Sequence, residues 1–253
     1  MFKQVIVKKP AISYVNGLTT SDLGTPNYEM ALEQHEKYVQ ALAKCGVEVK
    51  VLLDNEEFAD STFVEDTAVL TPNFAVISNP GADSRNGEIK EMNRVIKEFY
   101  DDVRYIKAPG TLDGGDVLQI EDHFYIGISD RTNIEGANQL KQILESANYK
   151  ATIVPLKKFF HLKTGISYLG NNQVVAAGEF IDHPDFEQYE KIIVSPEEEY
   201  CANCIRVNDY VIIPKGFEQT KKKIHDAGYQ TIELNMSEFQ KQDGGLSCLS
   251  LRF

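Results

Sequence analysis

The feature that most constrains this chain is a repeat. Five loop positions recur along it, Glu65, Asp113, His161, Asn203 and Cys248, separated by 48, 48, 42 and 45 residues. Around them the pattern is the same each time: an apolar stretch, a polar turn, a second apolar stretch, a segment with helical spacing and a third apolar stretch. One copy runs from Val117 to Ile120, turns at Glu121-Asp122, continues from His123 to Gly127, and adds a helix over 133–147 and a strand over 151–155. Others give a helix over 28–44, a hairpin over 68–77 turning near Pro72-Asn73, a helix over 86–100, strands over 163–168, 174–177, 200–207 and 210–214, and a helix over 217–227. Periods near 50 residues belong to repeat architectures, whose single units cannot bury an apolar face alone. Five units fill 253 residues. The last unit is then completed by the N-terminal strand at Val5 to Lys8, which should pair with the tail and close the ring. Corresponding loops of a ring face one centre, so Glu65, Asp113, His161 and Cys248 are expected in one pocket. The competing reading is an ordinary doubly wound sheet. No G-x-G-x-x-G follows a strand and there is no P-loop, so a nucleotide fold gains no support.

Charge narrows the partners. Against 26 Lys and Arg stand 38 Asp and Glu, a net charge of -12. Such a surface repels phosphate backbones, which argues against nucleic acid as the main partner and suits a small cationic molecule, the plainer reading being an acidic surface that keeps a protein soluble. No apolar run approaches the ~18 residues of a membrane span, and Met1 to Pro10 lacks the apolar centre of a secretory signal. The expectation is a cytoplasmic protein forming a single domain over residues 1–253. Four cysteines do not make a disulfide scaffold, and Cys201-Ala202-Asn203-Cys204 lacks a second ligand pair for a metal.

Cys248 follows Gly244-Gly245, a pair that gives the backbone freedom for an unusual turn, and precedes the alternating tail Leu249 to Phe253. A cysteine attacks carbon as its thiolate, so it needs a partner. Of five histidines, His35 and His225 fall on predicted helices and are expected on their surfaces. His123 follows a turn and His183 precedes a proline. His161 lies in a repeat loop, one repeat after Asp113, a carboxylate able to orient an imidazole. Asp60, Glu65 and Asp66 cluster before an apolar hairpin. Buried together they would repel one another without a cation, and a guanidinium is the cation that pairs with carboxylates bidentately. Arg85 and Arg131, both in loops, could hold a carboxylate. The plainer alternatives are a solvated acidic loop, surface arginines and a structural histidine.

Phe63-Val64-Glu65-Asp66, Leu112-Asp113-Gly114-Gly115-Asp116-Val117, Gly127 to Asn133, His161-Leu162-Lys163-Thr164-Gly165 and Asp243 to Cys248, in this order and at this spacing, resemble the dimethylarginine dimethylaminohydrolase family. The resemblance covers nearly the whole chain. It implies an α/β fold, the five-bladed α/β propeller (pentein) of pseudo-fivefold ββαβ repeats. It also implies hydrolysis of methylated arginines to citrulline through a covalent S-alkylthiouronium on Cys248, with no metal and no organic cofactor. By the same resemblance His161 is acid and then base, and Asp113 orients it. Glu65 and Asp66 pair with the guanidinium. Asp60 and the Leu18 carbonyl take the α-amino group, Arg85 and Arg131 the α-carboxylate, and the backbone near Gln242 touches the substrate. A homodimer is compatible with an exposed propeller edge. Arginine and agmatine deiminases usually carry an Asp two residues after the histidine, where this chain has Lys163. Two alternatives stand beside this one. The first is hydrolysis of another guanidino or ureido amino acid, such as arginine or citrulline. The second is a non-enzymatic propeller, which predicts no convergent Cys, His and Asp.

Overall fold

Residues 1–253 are described by a computed structural model. The chain forms five three-stranded sheets. It divides into two compact units, one made of residues 65–203 and the other of 1–64 with 204–253.

The unit of 65–203 holds three sheets. In the first, β3 (Ala68–Leu70) pairs antiparallel with β4 (Ala75–Ile77), and β4 pairs parallel with β5 (Val103–Tyr105) after α2 (Glu88–Ile96). In the second, β6 (Val117–Ile120) and β7 (His123–Ile128) form the hairpin, and α3 (Ile134–Ser146) leads to β8 (Lys150–Pro155). Side chains alternate across a strand, so this sheet serves two cores. Val117, Phe124 and Ile126 pack with Leu112, Leu140 and Leu144 on one face. Leu118, Ile120 and Tyr125 pack with Leu162, Ile166 and Phe180 on the other. A sheet buried on both faces is a stiff support for the loops at its ends. Each such side chain contributes about 1.5–3 kcal/mol by leaving water.

The third sheet departs from the repeat. A short helix α4 (Leu162–Gly165) stands where the sequence reads as the start of a strand, and β9 begins only at Ile166 (Ile166–Gly170). After β10 (Gln173–Ala176) no crossover helix forms. Two 3-10 turns, Gly178–Phe180 and Pro184–Phe186, lead to β11 (Glu190–Ile193). Gly178 has φ +49 and Pro184 opens its turn, so a continuous helix is broken twice within seven residues.

In the unit of 1–64 and 204–253, β1 (Gln4–Lys8) pairs parallel with β2 (Glu48–Leu52) through α1 (Tyr28–Lys44). The Asn27 side chain accepts from Met30 N at the start of α1, and Gly46 follows its end at φ +82. The second sheet joins β12 (Ile205–Val207), β13 (Tyr210–Pro214), α5 (Glu218–Asp226) and β14 (Gln230–Leu234). A 3-10 helix over Pro196–Ala202, in the other unit, replaces the first half of the strand expected over 200–207. After a short helix α6 (Ser237–Gln240), the tail gives β15 (Leu251–Arg252). It pairs with β1 through Val5 with Arg252 and Ile6 with Leu251, as the closing of the repeat requires. No helix is long and apolar enough to cross a membrane.

Candidate active site

In the unit of 65–203 the expected residues come together around buried charge. Glu65 and Asp66 lie in a 3-10 turn before β3, and both are buried. Arg85 ends the 3-10 turn before α2. Its Nη1 donates to Asp66 Oδ2 at 2.6 Å, and its Nη2 donates to Glu88 Oε2 at 2.8 Å. Gly115 N donates to Asp66 Oδ1 at 2.9 Å. Burial would raise the Asp66 carboxyl, but the charges of Arg85 and His161 and these hydrogen bonds outweigh it and hold it below the usual carboxylate range. Lys163 Nζ sits 2.7 Å from Glu65 Oε1. Glu65 and Asp66 are therefore buried after all, and their cations are protein side chains. The Arg85 guanidinium lies between two carboxylates.

His161 is buried, with Nε2 3.4 Å from Asp113 Oδ2, an ion-pair distance outside hydrogen-bond geometry. Asp113 is fixed from two sides: Gly81 N donates to its Oδ1 at 2.9 Å, and its own N–H donates to Thr132 Oγ1 at 3.1 Å. Asp116 is a residue to which the sequence reading assigned no role, although it lies in the motif with Asp113. It accepts from Ser129 Oγ at 2.6 Å, Thr132 Oγ1 at 2.7 Å and Leu162 N at 3.0 Å, tying the His161 loop to the β6–β7 sheet. Burial pushes the Asp116 carboxyl up despite these bonds. Burial would also lower His161, yet Asp116, Asp66 and Asp113 win and raise it to about 9.

Close approach explains the glycines between the two aspartates. A Cβ on Gly115 would lie 2.6 Å from His161 Nδ1, and one on Gly114 would collide with the Glu65 carbonyl. Arg131 is half-buried, its guanidinium 5.3 Å from the centre of the Phe160 ring. Asp66, Asp113 and His161 bring their ligand atoms within 4.8 Å of one another, a spacing that could hold a metal ion. With His161 protonated, the imidazolium already supplies positive charge there.

In the other unit Cys248 is half-buried in the turn between α6 and β15, with Gly245 N 3.4 Å from its Sγ. The glycines before it do not supply the unusual dihedral; Asp243 does, at φ +55. Gly244 is needed because a Cβ would lie 2.4 Å from Phe63 Cε1. Asp243 Oδ2 accepts from Thr20 N at 2.5 Å and Thr19 Oγ1 at 3.2 Å, fastening the exposed loop that carries Leu18. Leu18 N donates to Asp60 Oδ1 at 3.0 Å. Gln242 is buried, its Nε2 donating to the Tyr14 carbonyl at 3.2 Å while Oε1 has no hydrogen-bond partner. His35, expected on the surface of α1, is instead buried with Tyr38 and Leu42, and its Nε2 has no partner. Burial, with Lys9 adding to it, lowers it to about 4.

The model of the family described as N,N dimethylarginine dimethylhydrolase, eukaryotic, matches residues 21–249. The N(G),N(G)-dimethylarginine dimethylaminohydrolase of Pseudomonas aeruginosa is 48% identical over 254 residues, all of both chains. The chain belongs to the dimethylarginine dimethylaminohydrolase family. The solved Pseudomonas member, a cysteine-to-serine variant complexed with citrulline, is alike at a TM-score of 0.99 over 100% of each chain. A histidine-to-glycine variant, an adduct with S-methyl-L-thiocitrulline, gives 0.99 at 48% identity and the same coverage. The N-terminal domain of a cyanobacterial arginine dihydrolase is 20% identical with a TM-score of 0.89, over 100% of this chain and 97% of that one, and shows the fold alone. The fold class of this family member is the five-bladed α/β propeller that the repeat and the resemblance pointed to.

Proposed function

We propose that the protein hydrolyses Nω-methylated arginines to citrulline and the corresponding methylamine, with Cys248 as nucleophile and His161 as proton carrier. The observation that carries this reading is the placement of His161, buried with a ring nitrogen within 4.8 Å of carboxylate oxygens of Asp66 and Asp113. Its pKa near 9 makes it an imidazolium at neutral pH, and an amine leaves carbon only once it has been protonated.

The Cys248 thiolate adds to the guanidinium carbon, and the methylated nitrogen takes the His161 proton and departs as neutral amine. The S-alkylthiouronium that remains is attacked by water as His161 takes a proton back. Collapse breaks the C–S bond and returns the thiolate, the second proton of the water passes to solvent, where the released amine takes it up, and the neutral ureido group of citrulline remains. Asp113 and Asp116 stabilise the charged ring and hold its loop. Asp66, kept ionised by Arg85 and the Gly115 N–H, is the counter-charge for the guanidinium. The geometry of Arg85 favours a role in holding Asp66, which leaves Arg131 for the α-carboxylate. Asp60, the Leu18 carbonyl and the unpartnered Gln242 Oε1 suit an α-ammonium group. Lys163 stands on Glu65, where a deiminase would have another acid, and this favours a substituted guanidinium over a bare one. The reading includes a cytoplasmic enzyme, in keeping with four free cysteines, and a homodimer, which sedimentation equilibrium tests.

Citrulline release is measured with asymmetric dimethylarginine, monomethylarginine, arginine and agmatine in parallel. Methylated arginines should be turned over best. Cys248→Ser should lose ~10⁴-fold or more in kcat, and wild-type kcat should fall above about pH 9 as His161 loses its proton. Preference for arginine would replace this reading with a deiminase, and an active Cys248→Ser would sink the nucleophile.

A further inference from the structure

The turn that carries Cys248 lies outside any strand ladder, since α6 ends at Gln240 and β15 starts at Leu251. Local turn bonds, such as Gly244 N to the Phe239 carbonyl at 2.9 Å and Ser250 N to the Ser247 carbonyl at 3.4 Å, are joined by side chains. Tyr38 is wholly buried on α1 and takes no part in the chemistry above. Its hydroxyl donates to the Leu246 carbonyl at 2.8 Å and lies 2.6 Å from Ser250 Oγ. These residues stand two before and two after Cys248. Arg252 Nη1 in turn donates to Ser250 Oγ at 2.6 Å, to the Ser250 carbonyl at 3.1 Å and to the Ser247 carbonyl at 3.2 Å.

The direction of these bonds follows from chemistry. A carbonyl only accepts, so the single Tyr38 proton goes to Leu246, and the Ser250 proton must point at the Tyr38 oxygen. The chain therefore runs one way, from Arg252 to Ser250 to Tyr38 to Leu246. Each donor is polarised by the one before it, from half-buried Arg252 inward to the buried Ser250 and Tyr38. It closes a loop of hydrogen bonds around the cysteine, with buried Leu246 and Leu249 on either side.

We propose that Tyr38, Ser250 and Arg252 are positioning residues for Cys248, whose hydrogen-bond chain sets the turn so that Sγ lies on the Gly245 N–H, a backbone donor that steadies the thiolate. The proposal rests on the reading of Cys248 as nucleophile. The test compares Tyr38→Phe, Ser250→Ala, their double variant and Cys248→Ser. It reads kcat and KM for citrulline release from asymmetric dimethylarginine, thermal melting, and the pH dependence of iodoacetamide alkylation, with Cys248→Ser as background for the other thiols. A misplacement of about 1 Å can cost ~10²-fold, so each single variant should lose about tenfold or more in kcat with KM within about twofold. The alkylation inflection should move to higher pH. The double variant should be no worse than the worse single, because both cut one chain. A lowered melting temperature with kcat and the alkylation inflection unchanged would make the chain merely structural and overturn the proposal. If Tyr38→Phe does not fold, Ser250→Ala decides by the same readings. If Cys248→Ser stays active, the nucleophile reading falls. If it is dead while the folded single variants keep full kcat, only the positioning role falls.

Discussion

The two units hold their candidate functional residues by different physics. In the unit of 65–203 the candidate groups are buried ions: Asp66 with Arg85 and Glu88, Glu65 with Lys163, and His161 among Asp66, Asp113 and Asp116. In the unit of 1–64 and 204–253 the cysteine turn is held mainly by hydroxyls, backbone groups and one arginine. A buried ion that loses its partner is costly, whereas a hydroxyl bond contributes about 1 kcal/mol net. The first arrangement sets protonation states at the expense of tolerance to mutation. The second sets position and is cheap to disturb.

Arg85→Met should give the largest effect. It leaves Asp66 and Glu88 buried without their cation, and breaking a buried pair from one side costs about 3–5 kcal/mol. Tyr38→Phe should cost about 1 kcal/mol. Urea unfolding of both variants makes the comparison, and it breaks if the two costs are equal.

The pH dependence of stability should carry the same contrast, with opposite signs. His161 is raised in the folded state to about 9 from 6.5. Its stabilisation is present below pH 6.5 and is lost as pH rises through 9. His35 is lowered to about 4 from 6.5. Its contribution is present above pH 6.5 and is lost as pH falls toward 4, because the unfolded chain binds the proton first. Each limb is worth up to about 3 kcal/mol. Urea midpoints across pH 4–10 should therefore fall on both sides. His35→Leu should flatten the acid limb alone, and His161→Gln the alkaline limb alone. An alkaline limb that survives His161→Gln would remove the imidazolium from the account.

What the sequence made legible was periodic. The ends of α1 at Tyr28 and Lys44, the hairpins of β3–β4 and β6–β7 and the pairing of the tail with β1 all follow from spacing and turn residues. The stretch 177–203 was not legible, because aromatic packing and the helix-breaking Gly178 and Pro184 leave neither a helical nor a strand period there. Burial was the other blind spot. Glu88, three residues after Arg85, reads as an ordinary helix-surface acid until the fold encloses it. His35 reads the same way on α1. Residue types at loop positions single out Asp113, His161 and Cys248 as candidates, and the fold buries the first two. Residue types could not say that Arg85 would spend its guanidinium on Asp66, since that choice is made by distance.

The smallest expected effect separates the units by one cap. Both α1 and α3 start on an asparagine whose side chain accepts from the third residue on: Asn27 from Met30 N at 2.9 Å and Asn133 from Gly136 N at 2.8 Å. Asn27 is exposed, and its side chain serves that one donor. Asn133 Oδ1 also accepts from Thr111 N at 2.9 Å, and its Nδ2 donates to the Pro109 carbonyl at 2.9 Å, binding the helix start to the loop before Asp113. Asn27→Ala should cost about 1 kcal/mol, the ordinary value of a cap. Asn133→Ala should cost about 2 kcal/mol more, for the two further bonds. It should also lower kcat, because the freed 109–112 loop carries Asp113 at its end. Urea unfolding reads the first difference and citrulline release the second. Equal costs with equal kcat would mean that this loop is held by Thr132 and Gly81 alone.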